Sequence, residues 1–197
     1  MHRDIFQTFE DTCRPLGLRG SVLEVGATPD ASSLLNLPAL AGVQEKIGLN
    51  LAGPGRFNDF SIVAGDANAM TCFPDHRFDA VLCNATLEHD KFFWKSLAEI
   101  RRVTKPGGVI IIGTPGYGVI PFEKKARRLL GWIPRPLRPS LGGLHVSTLT
   151  LQIHNFPGDY YRFSEQAYRD VFFEGLQAVV IRSVMSPPRI IGFGIKP

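Results

Sequence analysis

Residues 78–115 read FDAVLCNATLEHDKFFWKSLAEIRRVTKPGGVIIIGTP. Two short apolar runs, Phe78–Asn84 and Val109–Pro115, flank a helical pattern. In that pattern Phe93, Leu97, Ile100 and Val103 recur at spacings of four and three, which puts them on one stripe of a helix. Asp90 stands where an N-cap belongs, and Lys105-Pro106-Gly107-Gly108 ends the helix. The flanking runs are apolar at consecutive positions (Ala80-Val81-Leu82, Val109 to Ile112), as strands covered on both faces are. Strand, helix and strand in this order make a βαβ unit, which implies an α/β fold with a parallel sheet.

The same alternation extends in both directions. Upstream, strands are predicted at Ser21–Gly26, Lys46–Leu51 and Ser61–Asp66, and a first helix through Phe9 and Cys13 ends near Pro15. The segment SVLEVGATPDASS, 21–33, reads as strand, turn and helix start. Only Ala52 to Phe60 separates the second and third strands, with Pro54 and two glycines between, so a single turn or an irregular loop is expected there instead of a helix. Downstream, a helix is predicted from near Ser164 to near Gly175, turning Tyr168, Val171 and Phe172 inward. The runs Leu176–Met185 and Arg189–Ile195 follow. Pro187-Pro188 leaves no room for a helix between them, so they are predicted to be antiparallel neighbours.

A chain of 197 residues suits one domain, and 44% hydrophobic with 20% charged residues is ordinary for a globular protein. The three cysteines, Cys13, Cys72 and Cys83, are too few and too scattered for a disulfide framework or a zinc site, and their odd number fits a reducing cytoplasm. The opening MHRDIFQTFEDT carries acidic residues where a signal peptide would have its apolar core. No apolar run approaches the roughly 20 residues that span a bilayer, so a membrane is touched peripherally at most.

The net charge of +4 is uneven. Between Tyr117 and Thr150, six basic residues (Lys124, Lys125, Arg127, Arg128, Arg135, Arg138) face only Glu123, so that segment carries +5 and the rest of the chain −1. The pattern describes a basic insert at about 117–150 in a single domain spanning 1–197. Its FEKKARRLLGWIPRPLRP, 122–139, has the make-up of an interfacial helix on anionic lipid, and equally that of a lid with a solvated basic face. No nucleic-acid module is recognisable.

Two residues of the first turn point to a ligand. Gly26 at a strand end lets the backbone bend and a ligand approach. Glu24, inside an apolar strand, is a buried carboxylate that needs partners: an ammonium group of a ligand, directly or through water, or local backbone donors. No glycine follows between Ala27 and Ala31, so the dinucleotide fingerprint is absent and a nicotinamide enzyme is disfavoured.

VLEVG at 22–26, GDA at 65–67, FDAVLCNATLEH at 78–89 and EIRRVTKPGGVIIIGTP at 99–115 resemble, in order and spacing, the class I S-adenosylmethionine-dependent methyltransferases. They are most similar to the group that includes the ubiquinone and menaquinone methyltransferases. The resemblance covers roughly residues 20–116. It implies a doubly wound, seven-stranded, mostly parallel sheet with an antiparallel C-terminal pair, and S-adenosylmethionine as cofactor. It also implies roles. Glu24, Gly26 and Ala27 fall under the methionine part of the cofactor. Asp66 and Ala67 meet the adenine, Asn84 and Ala85 form a backbone wall near the methionine, and Leu87, Glu88 and His89 lie beside the transferring methyl group.

Departures from the family pattern are Pro29 in place of further glycines, and Asn50 where an acidic residue usually grips the ribose hydroxyls. An amide accepts more weakly than a carboxylate, a loss of about 1–2 kcal/mol or roughly tenfold in affinity. These departures, with the missing crossover helix, support a rival reading as a methyltransferase-like binding or scaffold protein that no longer catalyses. HNFPGDYYRFS at 154–164 resembles a segment of methyltransferases associated with bacterial surface-sugar synthesis. The resemblance implies a small-molecule, glycan-type or lipid-linked acceptor, with Asp159, Tyr160, Tyr161 and Arg162 on the substrate. His89 and His154 lead the candidates for a proton-accepting base, ahead of His145 and Asp159.

Overall fold

The computed structural model of the chain describes residues 3–119, 148–152, 158–185 and 188–197. Along it come helix α1 (Arg3–Cys13) and strands β1 (Ser21–Val25), β2 (Glu45–Asn50), β3 (Gly55–Phe57), β4 (Phe60–Ala64) and β5 (Phe78–Asn84). Helix α2 (Phe93–Val103) and strands β6 (Thr104–Pro115), β7 (Tyr117–Val119) and β8 (Thr148–Thr150) follow. The short helix α3 (Glu165–Ala167) precedes strands β9 (Gln177–Met185) and β10 (Pro188–Ile195). Eight strands form one sheet in the order β3-β4-β2-β1-β5-β6-β10-β9. The pairs β1–β2, β1–β5, β2–β4 and β5–β6 are parallel; β10 runs antiparallel to both β6 and β9.

The sheet is wound on both faces, as the consecutive apolar runs predict. Along β5, Phe78, Val81 and Cys83 join a cluster with Leu97, Ile100 and Val103 of α2, while Ala80 and Leu82 join the opposite cluster with Ile5 and Phe9 of α1. Alternate side chains of a strand point to opposite faces, so a run apolar at every position is buried twice. Truncating a fully buried member such as Ile100 to alanine costs about 2–5 kcal/mol.

Three local expectations are corrected. The eighth strand is β3, which pairs antiparallel with β4 in place of the expected turn or loop. Asn58, at φ 47°, makes the tight reversal, in a conformation asparagine tolerates better than most residues. The expected helix after Gly26 is replaced by two single 3₁₀ turns, Leu34–Asn36 and Pro38–Leu40. Pro38 lacks a donor, and side chains there take the backbone donors: Asp30 accepts from Ser32 N (2.7 Å) and Ser33 from Leu35 N (3.2 Å). In the last helical segment, α3 runs into a π-helical turn, Tyr168–Phe172, closed by Phe173 N donating to Tyr168 O (2.8 Å). The wider turn buries Tyr168, Phe172 and Phe173 and leaves Val171 44% exposed, not inward as its spacing predicts.

The strands β7 and β8 pair antiparallel and clasp the two ends of the basic insert. Residues 120–147 of that insert, with His145, lie outside the described residues, as does His154. Among the described residues no helix is long and apolar enough to cross a membrane.

Candidate functional site

The carboxyl ends of β1, β2, β4 and β5 open onto one cleft of about 1140 Å³. In an open α/β sheet a ligand binds there, where successive crossovers leave toward opposite faces. Gly26 ends β1 at φ 82°, and a Cβ at this position would overlap Thr86 Oγ1. Thr86 in turn donates to Val25 O (3.2 Å) and Asn84 O (3.1 Å). Ala85 is left-handed, φ 53°, with its N–H on Gly113 O (3.0 Å). The Thr86 side chain therefore ties the two turns, 26–28 and 84–86, together, and a larger residue at Gly26 would displace it.

Glu24 lines this cleft and is fully buried among donors: Ser33 Oγ and the Leu35 N–H (3.4 Å) both reach its Oε2. Burial raises its carboxyl to about pKa 7, opposed by these bonds. Both partners weighed for it from sequence are thus compatible with its place, the local donors being occupied already.

Asn50 also lines the cleft, and both ends of its amide are engaged. Its Nδ2 donates to Ala27 O (2.7 Å), and its Oδ1 accepts from Ala52 N (3.0 Å). Ala27 itself is buried beneath the turn and does not face the cleft. Asp66, exposed at the rim beside Ala67, accepts from Asn68 N through Oδ1 (2.8 Å). The loop that follows is anchored to α2. Arg102 donates to Met70 O (2.9 Å) and Phe73 O (3.0 Å), and Glu99 accepts from Met70 N (2.6 Å).

His89 lies in the cleft on the short turn Leu87–His89, and its Nδ1 is hydrogen-bonded to Gly158 O. If Nδ1 keeps the proton, Nε2 is the nitrogen left to accept one; it stands 3.9 Å from Glu88 Oε1. Leu87 and Glu88 are fully buried beneath. The segment 158–163 docks on the same turn: Tyr160 N donates to Glu88 O (2.8 Å) and Tyr161 Oη to Lys91 O (3.0 Å).

The four residues expected on the substrate separate here. Tyr160 lines the cleft, 47% exposed. Tyr161 packs edge-on against Phe93 and stacks on Phe163, away from the cleft. Asp159 and Arg162 form a buried bidentate ion pair, and Arg162 also donates to Leu151 O (3.4 Å), Gln152 O (3.4 Å) and Tyr161 O (2.8 Å). Their charges hold the segment to its neighbours. Sequence reasoning missed Thr86, Arg189, Leu51 and Phe92, all of which line the cleft. Only Arg189 left a signal, a charge at the head of an otherwise apolar strand.

Residues 39–112 match the family model described as a methyltransferase domain. Over this stretch the chain is similar to a methyltransferase domain. A demethylmenaquinone methyltransferase of Renibacterium salmoninarum is 36% identical over 108 residues, which are 52% of this chain and 44% of that one. A second, from Beutenbergia cavernae, is 30% identical over 151 residues, covering 61% of this chain and 62% of that one. The chain thus spans less than half of the first curated relative it matches. Among solved structures, the Haemonchus contortus phosphoethanolamine N-methyltransferase 2 in complex with S-adenosyl-L-methionine superposes with a TM-score of 0.63 at 13% identity. That match covers 99% of this chain and 53% of that one and speaks for the fold alone. A ligand with adenosine and amino-acid ends would meet in this cleft Gly26, which has no side chain, the exposed carboxylate of Asp66 and the buried one of Glu24.

Proposed function

We propose that the chain transfers the methyl group of S-adenosylmethionine to a small-molecule acceptor. The observation that carries this reading is the left-handed turn at Gly26, where the Thr86 side chain takes the space a side chain at position 26 would need, at the edge of the cleft. When bound, the cofactor supplies an activated methyl group at a sulfonium, so the protein's work is mainly proximity and alignment. Asp66 and Ala67 take the adenine, Asn84 and Ala85 wall the methionine, and Glu24 faces its ammonium end. Because Asn50 braces Ala27, it shapes the ribose wall through backbone as well as side chain. His89 Nε2 is the proton acceptor if the methylated atom is a hydroxyl or amine, and His154 remains a second candidate.

Tyr160 at the mouth contacts the acceptor, while Asp159, Tyr161 and Arg162 hold it in place. A quinone-type acceptor is favoured by the names of the curated relatives, and a sugar or lipid-linked one by the 154–164 segment. The basic segment 117–150 serves as lid and, at an anionic membrane, as peripheral contact.

Calorimetry with S-adenosylmethionine, S-adenosylhomocysteine and NAD tests the reading. Binding of the first two without NAD is expected. Absence of S-adenosylhomocysteine binding would falsify it, and binding without turnover on any acceptor would favour the scaffold reading.

A further inference from the structure

Arg189, the second residue of β10, is aligned with Pro115 of β6 and lines the cleft with Asn84. This places a guanidinium on the same sheet face as Glu24, at the carboxyl end of the strands. One Nη donates to Asn84 Oδ1 at 3.2 Å. Its Nε is buried and without a hydrogen-bond partner among the described residues. No carboxylate oxygen of a described residue lies within ion-pair distance of it. Glu88 acts on Arg189 at longer range, and Arg162, which opposes it, is occupied by Asp159. Burial lowers its pKa from the usual arginine value, yet a guanidinium stays charged throughout the working range.

A half-buried arginine with its Nε enclosed and one long bond to a neutral amide is under-satisfied, because its fork offers five donors and matches a carboxylate bidentately. The lining also holds the uncharged Thr86 and Asn84 and the apolar Ile5 and Leu151, while the carboxylate of Glu88 and the guanidinium of Arg162 act on Arg189 from outside it. A ligand that brought an ammonium group here would meet a like charge in a weakly screened site. One that brought a carboxylate or similar oxyanion would satisfy the free donors.

We propose that Arg189 is the oxyanion-binding residue of the cleft. This rests on the reading of the cleft as a methyl-transfer site. The oxyanion has two possible sources, the carboxylate of the cofactor's own amino-acid end or an anionic oxygen of the acceptor. The role is separate from those of His89 and Asp66, which concern a proton and the adenine.

The test compares wild type with Arg189→Gln and Arg189→Lys by calorimetry. The cofactor arm uses S-adenosylhomocysteine and 5′-methylthioadenosine, which lacks the amino-acid end. The acceptor arm uses 2-naphthoate and its uncharged isostere 2-naphthamide, with and without S-adenosylhomocysteine. If the cofactor carboxylate is the ligand, Arg189→Gln weakens S-adenosylhomocysteine by about tenfold or more and leaves methylthioadenosine unchanged. If the acceptor supplies the oxyanion, S-adenosylhomocysteine stays within about twofold, while a preference of about tenfold for naphthoate over naphthamide disappears in Arg189→Gln. Arg189→Lys, which keeps the charge without the fork, should fall between the other two and covers the case in which the glutamine variant does not fold. Unchanged binding in both arms overturns the proposal, as does an equal loss for S-adenosylhomocysteine and methylthioadenosine. Failure of wild type to bind S-adenosylhomocysteine would instead overturn the methyl-transfer reading, and the naphthoate arm would still decide Arg189.

Discussion

The His89 imidazole and the backbone carbonyl of Gly158 are hydrogen-bonded, Nδ1 to O, across 69 residues of sequence. This bond and those of Tyr160 and Tyr161 to Glu88 O fasten the 158–163 segment over the end of β5. Two pieces that the sequence places far apart, a candidate base and a candidate acceptor segment, are therefore one unit. His89→Ala should lower stability by about 1–3 kcal/mol, since it leaves the Gly158 carbonyl without its donor. His89→Asn, with a donor of similar reach, should recover most of that stability but not turnover. Identical denaturant midpoints for wild type and both variants would show that the histidine does not hold the segment.

Asn50 shows why a residue swap argued from sequence needs its neighbours. From the family pattern alone, an acid at position 50 would tighten the ribose site. In the fold, a carboxylate there would keep the Ala52 N–H but face Ala27 O, 2.7 Å from the present Nδ2, oxygen to oxygen. Asn50→Asp is expected to cost about 1–3 kcal/mol of stability and to bind S-adenosylhomocysteine no more tightly than wild type. Tighter binding with unchanged stability would mean that the brace to Ala27 is dispensable.

Glu24 makes stability depend on pH. Its folded pKa of about 7 lies above the ordinary 4.5, so its contribution is fully present below about 4.5 and is lost as pH rises through 7. At pH 8 the ionised form costs up to about 3 kcal/mol relative to acid conditions, taking about 1.4 kcal/mol per pH unit. Glu24→Gln removes the charge and keeps an oxygen for Ser33. Urea midpoints at pH 5 and pH 8 should converge in this variant relative to wild type. An unaltered pH dependence would place the Glu24 titration elsewhere.

The Asp159–Arg162 pair should report on folding and not on substrate affinity. Both side chains are buried, and breaking such a pair by removing one partner strands a charge at about 3–5 kcal/mol. Asp159→Ala is expected to melt lower by the equivalent amount, with S-adenosylhomocysteine affinity of the folded fraction near wild type. A normal melting temperature in this variant would return Asp159 to the list of substrate contacts.

Asp66→Asn retains the acceptor for Asn68 N while removing the charge offered to an adenine amine. Its affinity for S-adenosylhomocysteine should fall by about 1–2 kcal/mol without change in stability. Unchanged affinity would take Asp66 out of the adenine contact.

The alternation of residues 78–115 was enough to establish a parallel, doubly covered sheet, because burial on both faces demands apolar residues at successive positions and a helix of period 3.6 between strands. The antiparallel end of the sheet was equally legible, since Pro187-Pro188 leaves no length for a crossover. Gly26, Asp66 and Ala85 were legible as cleft-lining residues because they are local features of strand ends. The π-helical phase that exposes Val171, and the 3₁₀ turns between Ser33 and Ala41, depend on which donors the surrounding side chains capture. The pairing of His89 with Gly158, of Asp159 with Arg162 and of Arg189 with Asn84 was decided only by tertiary structure. Hydrogen bonds and ion pairs act over about 3 Å, and a one-dimensional pattern carries the period of a face but not the identity of the neighbour across it.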